Sequence, residues 1–230
     1  MASKDFCLNM PILPMKSSIA VLGSGLALLS LSACAEKNQL VVDSGVGVSS
    51  TLSACPNTAI PAHTGDVTIF NPANSRDASA IDVVATITNV RPTCDEAGEE
   101  IYATASFDVF GRRSDNRGQR TVTLPYFSTV MRGGNTVVAK RLGSVTLNFA
   151  DGSYRAEAKA SGAGYINKAA ATLPEDIRER ITRRRKSGDP DAAIDPLSVP
   201  EVRTAMQRTS FELLVGFQLT ADQLQYNATR

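Results

Sequence analysis

Between Val67 and Ala160 the chain repeats one pattern: short segments alternate apolar and polar residues, and a turn signal closes each of them. Alternation at period two puts one parity on a buried face and the other in water, so it restricts these segments to β-strands. Residues 101–110 show it most clearly, with Ala103, Ala105, Phe107 and Val109 on one parity and Tyr102, Thr104, Ser106 and Asp108 on the other. Residues 67–70, 81–90, 120–131, 136–149 and 154–160 carry related patterns. Charged residues 111–118 predict a hairpin loop, and Gly133-Gly134-Asn135 and Asp151-Gly152 predict tight turns. Pro125 predicts an edge strand or a bulge, and Gly143 a bulge or a crossing point. Arg155, Glu157 and Lys159 should face water while Ala156, Ala158 and Ala160 face a crowded interior. Residues 211–219 return to strand, with Phe211, Leu213, Val215, Phe217 and Leu219 on one parity. The fold class is therefore mainly β: an antiparallel immunoglobulin-like sandwich of about seven strands. The last strand should pair with strands laid down much earlier.

A two-helix excursion, about 172–207, interrupts the β pattern before that last strand. Thr172 is expected to cap the first helix, with Pro174 near its first turn and Glu175 and Asp176 at its positive end. Arg183, Arg184, Arg185 and Lys186 crowd its negative end, Glu179 and Arg183 have the spacing of an i,i+4 pair, and Gly188-Asp189-Pro190 stops it. Ser198-Val-Pro-Glu201 matches a capping box for a second helix to about Gln207. Thr220 is placed to cap a last helical turn, 221–226.

The N-terminus has the parts of a secretory signal. Lys16 precedes an apolar run, residues 19–31, that ends in Leu31-Ser32-Ala33-Cys34. This tetrapeptide resembles the lipobox of bacterial lipoproteins, in which the cysteine is lipidated and becomes the first residue. The run is shorter than the roughly 20 apolar residues a spanning helix needs and contains glycine and serine. Residues 1–33 are thus read as a signal peptide, and Met15 as the possible true start. Residues 34–53 read as a lipidated tether, flexible and reaching roughly 25 Å. Residues 54–230 read as the sandwich domain. Ala35 after Cys34 points, by resemblance to lipoprotein sorting, to the periplasmic face of the outer membrane.

That compartment sorts the cysteines. Cys7 leaves with the signal, Cys34 takes the lipid, and Cys55 and Cys94 remain as a pair in an oxidising space, predicting a disulfide. A metal site is the alternative, but His63, the one histidine, adds little to two cysteines. No metal and no cofactor are expected. From Cys34 onward the chain keeps 22 basic and 22 acidic side chains. No net field draws it to nucleic acid.

Among charged features, Arg178, Arg180, Arg183, Arg184, Arg185 and Lys186 form the strongest cluster. It reads either as an anion or partner contact or as a solvated helix face. Leu124-Pro125-Tyr126-Phe127 and Tyr165 are aromatic clusters best explained by packing; without tryptophan a sugar platform has little support. No nucleophile elbow or triad pattern is visible, so no catalytic residue is expected.

Cys55-Pro56, Asp82-Val83-Val84, Cys94, Leu124-Pro125-Tyr126-Phe127, Leu214-Val-Gly-Phe-Gln-Leu-Thr220, Asp222-Gln-Leu224 and Tyr226-Asn227 resemble segments of a group of alphaproteobacterial lipoproteins without assigned activity. The resemblance covers about 55–160 and 209–230. It implies a shared lipoprotein architecture and carries over no functional residue. The expected function is a non-enzymatic envelope lipoprotein whose tethered sandwich binds another envelope protein. The alternatives are binding of an anionic glycolipid or cell-wall polymer through the basic helix 174–186, and an unrecognised hydrolase.

Overall fold

The structure, a computed structural model, describes residues 53–230. The expected signal peptide, the lipidation at Cys34 and all of the tether before Ser53 lie outside the described residues. The seven alternating segments form strands, and a short strand the alternation does not show precedes them, giving eight among the described residues: β1 Asn57–Ala59, β2 Asp66–Phe70, β3 Ile81–Asp95, β4 Glu100–Arg113, β5 Arg120–Arg132, β6 Thr136–Phe149, β7 Arg155–Asn167 and β8 Phe211–Phe217. Four helices complete the fold: α1 Lys168–Ala171, α2 Glu175–Thr182 and α3 Pro200–Thr209 between β7 and β8, and α4 Ala221–Thr229 at the end.

The strands make two four-stranded sheets, ordered β1-β8-β5-β6 and β2-β3-β4-β7. All pairings are antiparallel except β1 with β8, which is parallel. The molecule is the mainly β sandwich that the alternation predicts, with the helical excursion where the pattern changes. One parity of each long strand fills the space between the sheets. Val83, Ala85 and Ile87, then Ala103, Ala105, Phe107 and Val109, meet Leu124, Val145, Leu147, Leu213, Val215 and Phe217. As expected, β8 pairs with the much earlier β5 and β1.

Several local features differ from the sequence reading, each for a physical reason. β3 does not stop near Val90. Asn89 adopts a left-handed conformation (φ 54°), which asparagine tolerates. The register shifts there between Thr88 and Arg91, and the strand continues as a bulged one. β4 runs through Gly111 to Arg113, because the buried parity continues to the Arg113 side chain. The loop is therefore only 114–119. Pro125 lies neither on an edge nor at a bulge: β5 is internal, and its register shifts only between Val130 and Met131. Gln218 N–H donates to the Pro125 carbonyl at 2.9 Å. Both groups of Pro125 thus face the point where β8 has ended at Phe217, and no ladder donor is missed. Gly143 makes no bulge either. It lies opposite Tyr126, and a Cβ there would sit 2.5 Å from the Tyr126 ring. The glycine makes room for the tyrosine.

The caps also move. α2 begins after Pro174, and Thr172 instead ends α1. α3 follows Val199 with no side-chain cap, since the Ser198 hydroxyl donates to the Asp195 carbonyl at 2.7 Å. Thr220 does cap α4, in a complete capping box with Gln223, and α4 runs on to Thr229. No helix among the described residues is long and apolar enough to cross a membrane.

Candidate functional site: an open sheet edge

Each expected site residue has a definite place. Cys55 and Cys94 are bonded as a disulfide with Cα atoms 6.1 Å apart. Cys55 lies just ahead of β1 in one sheet and Cys94 in β3 of the other, so the bond ties the two sheets together. Ser53, expected to end the tether, is already held by the fold: its hydroxyl donates to Glu96 at 2.9 Å and accepts from Cys55 N–H at 3.1 Å. The Glu96 carboxylate also lies 2.7 Å from Cys55 Sγ. A bridged sulfur has no proton, so this is a close contact rather than a hydrogen bond. Cys55, Cys94 and Glu96 could gather around a cation, but only with both sulfurs as free thiolates.

Only Arg178 and Arg180 of the basic run lie on the helix. α2 stops at Thr182, and Arg183, Arg184, Arg185 and Lys186 belong to the segment that folds back from it. Most of its charge is matched within the excursion. Arg178 pairs with Glu175, Arg180 bonds Glu201 on α3 at 2.9 Å, and Arg183 reaches Asp191 at 2.6 Å, not Glu179. Arg185 also reaches Asp191, at 3.4 Å, and donates to the Arg180 carbonyl. The Lys186 backbone N–H, not its ammonium, donates to Asp189, and Arg184 is engaged as well. Desolvation raises the Asp191 pKa, but hydrogen bonds and charge from Arg183 and Arg185 outweigh it and hold the carboxyl below its ordinary value. A groove of about 500 Å³ between α2 and α3 has Asp191 with Arg183 and Arg185 on its walls, and Val199 and Val202 among its lining. Acidic and basic groups alternate around it, so it presents no single-sign field.

The aromatic groups divide between packing and surface. Leu124 is buried, and the Tyr126 ring packs edge-on against Phe107 at 5.3 Å between centroids. Tyr165 is exposed, pairs with Tyr102 at 4.8 Å, and carries the Arg141 guanidinium at 5.8 Å. His63 sits in a left-handed turn (φ 64°), and its carbonyl accepts from Asn227.

A different feature emerges when the four sheet edges are compared. An edge strand exposes unpaired backbone groups that invite another strand, and proteins usually block them. β1 is three residues long. β2 is blocked by α4: Asn227 donates to the carbonyls of His63 and Asp66, and Arg230 pairs with Asp66. β7 is blocked from β5, where the Tyr126 hydroxyl donates to the Ser161 carbonyl at 2.8 Å and Ser128 reaches that of Ala163 at 3.5 Å. The first half of β6 has no such cover. Residues 136–142 are all exposed, including Leu142 at 69%, Val137 at 59% and Val138 at 53%. No side chain among the described residues hydrogen-bonds their backbone. Lys140 lies 5.1 Å from the Phe127 ring centroid, and neither it nor Arg141 has a carboxylate partner among the described residues. The Val137-Val138 and Leu142 signal is visible in the sequence, but alternation alone reads both parities of β6 as ordinary strand.

No family model matches the chain, and neither curated proteins nor solved structures give a match.

Proposed function

We propose that this protein is a non-enzymatic lipoprotein of the bacterial envelope, anchored through Cys34 at the periplasmic face of the outer membrane, whose sandwich binds another envelope protein. The lipobox-like tetrapeptide and the resemblance to alphaproteobacterial lipoproteins support the anchor and the compartment. The Cys55–Cys94 disulfide fits an oxidising space. The observation that carries the binding role is the uncovered half of β6, where large apolar side chains and open backbone groups meet on one edge. Such edges are a recurrent mode of protein recognition. The glycolipid alternative through 174–186 loses support because most charges there are matched internally.

Amine-reactive cross-linking in intact cells, followed by solubilisation and capture, tests the role. It should yield a defined envelope protein joined to this chain. Recovery of only lipopolysaccharide or peptidoglycan would overturn it. Cys34→Ser should move the protein from the membrane fraction to the soluble one; retention in membranes contradicts the anchor.

A further inference from the structure

We infer that the open edge of β6 accepts an extended, acidic segment of its partner as an added strand. This deepens the protein-binding reading and rests on it. The backbone argument starts at Pro125, which Gln218 turns toward β8. Alternation turns Phe127 and Thr129 the same way, so their partners in β6, Leu142 and Lys140, direct N–H and C=O away from β5. These groups line the edge that no side chain among the described residues covers.

Charge selects the occupant. Lys140 and Arg141 are exposed residues of this edge strand, Arg132 lies on the neighbouring β5, and residues 136–142 contain no acidic side chain. The two β6 cations rest on the Phe127 and Tyr165 rings instead of on carboxylates. A second copy of β6 would bring lysine and arginine against lysine and arginine, which is destabilising. The same cations stabilise a strand that places glutamate or aspartate across from them, while its apolar residues meet Leu142 and Val138.

The test uses the full chain in detergent and two synthetic decapeptides of alternating valine and threonine, one carrying two glutamates and the other two lysines. The acidic peptide should bind and slow amide exchange at Lys140 and Leu142. The basic peptide should bind about tenfold more weakly, from two cross-strand charge contacts reversed in sign. A Lys140→Glu, Arg141→Glu variant, altered only at exposed positions, should keep its circular dichroism and invert the preference. Equal binding of both peptides, protection elsewhere, or association of β6 with a second copy overturns the inference. A defined cross-linked protein combined with any of those results removes the strand-addition inference and leaves the protein-binding role standing; loss of the protein adduct itself removes the role.

Discussion

Arg113 is 2% exposed and has no carboxylate partner among the described residues. Its guanidinium instead donates to the carbonyls of Ser153, Asn116, Gly118 and Ala150, each at 2.8 Å. One side chain thereby joins the β4–β5 loop to the β6–β7 turn, and its face lies 5.4 Å from the Phe149 ring centroid. Arg113→Met should leave these carbonyls short of donors and cost about 3 kcal/mol, read as a lower urea midpoint. Arg113→Lys should recover little of it, since a single ammonium cannot reproduce the planar fork. Sequence patterning reads Arg113 as part of a charged loop, because a buried arginine satisfied by carbonyls leaves no signature in hydropathy. Tyr126 illustrates the opposite case. Its aromatic character predicts packing, but its bond to Ser161 and its seat on Gly143 depend on where β6 and β7 lie. Tyr126→Phe should cost about 1 kcal/mol by equilibrium unfolding.

At the scale of elements, the helical excursion combines two buried apolar anchors with a set of largely exposed ion pairs. Ile177 and Val202 are the buried side chains of α2 and α3. The Asp191 pKa is depressed below 3.8 in the folded chain. Its stabilising effect is therefore fully present above that value and disappears as pH falls through the lower folded value. Amide-exchange protection within 183–195 should fall in that acid window, while protection in β3, β4 and β5 should not. Asp191→Asn should make the segment equally open on both sides of the window. The sequence places the excursion correctly yet misjudges its ends. Thr172 and Ser198 have suitable side chains for caps, but the chain direction at each is fixed by neighbours. Only Thr220 has both the residue type and the backbone entry that a capping box requires.

Across the whole molecule, closure depends on two tethers between distant parts of the chain. The disulfide spans 39 residues in sequence and fixes a three-residue strand, β1, that pairs too briefly to hold itself. Replacing both Cys55 and Cys94 by serine should lower unfolding free energy by about 4 kcal/mol in the chain-entropy treatment, measured by urea denaturation. The second tether is α4. Its Asn227 is buried and bonded to His63 and Asp66, and Tyr226 packs edge-on against Phe70 at 5.1 Å. Deleting residues 221–230 should expose the edge of β2 and yield soluble aggregates by light scattering, whereas Leu142→Glu on the β6 edge should leave the scattering unchanged.

Hydropathy period and turn chemistry are local properties, and through them the sequence by itself determined seven of the eight strands, the sandwich class and the position of the excursion; the three-residue β1 is too short to show a period. It also singled out the cysteine pair, by removing the other two cysteines to the N-terminus. Which edges are covered was decided only by the tertiary structure. Tyr126, Ser128 and Asn227 are separated by tens of residues from the carbonyls they block, so no window of sequence contains both partners. The open half of β6 is the remainder of that arrangement: a strand like the others in its pattern, which no distant side chain among the described residues reaches.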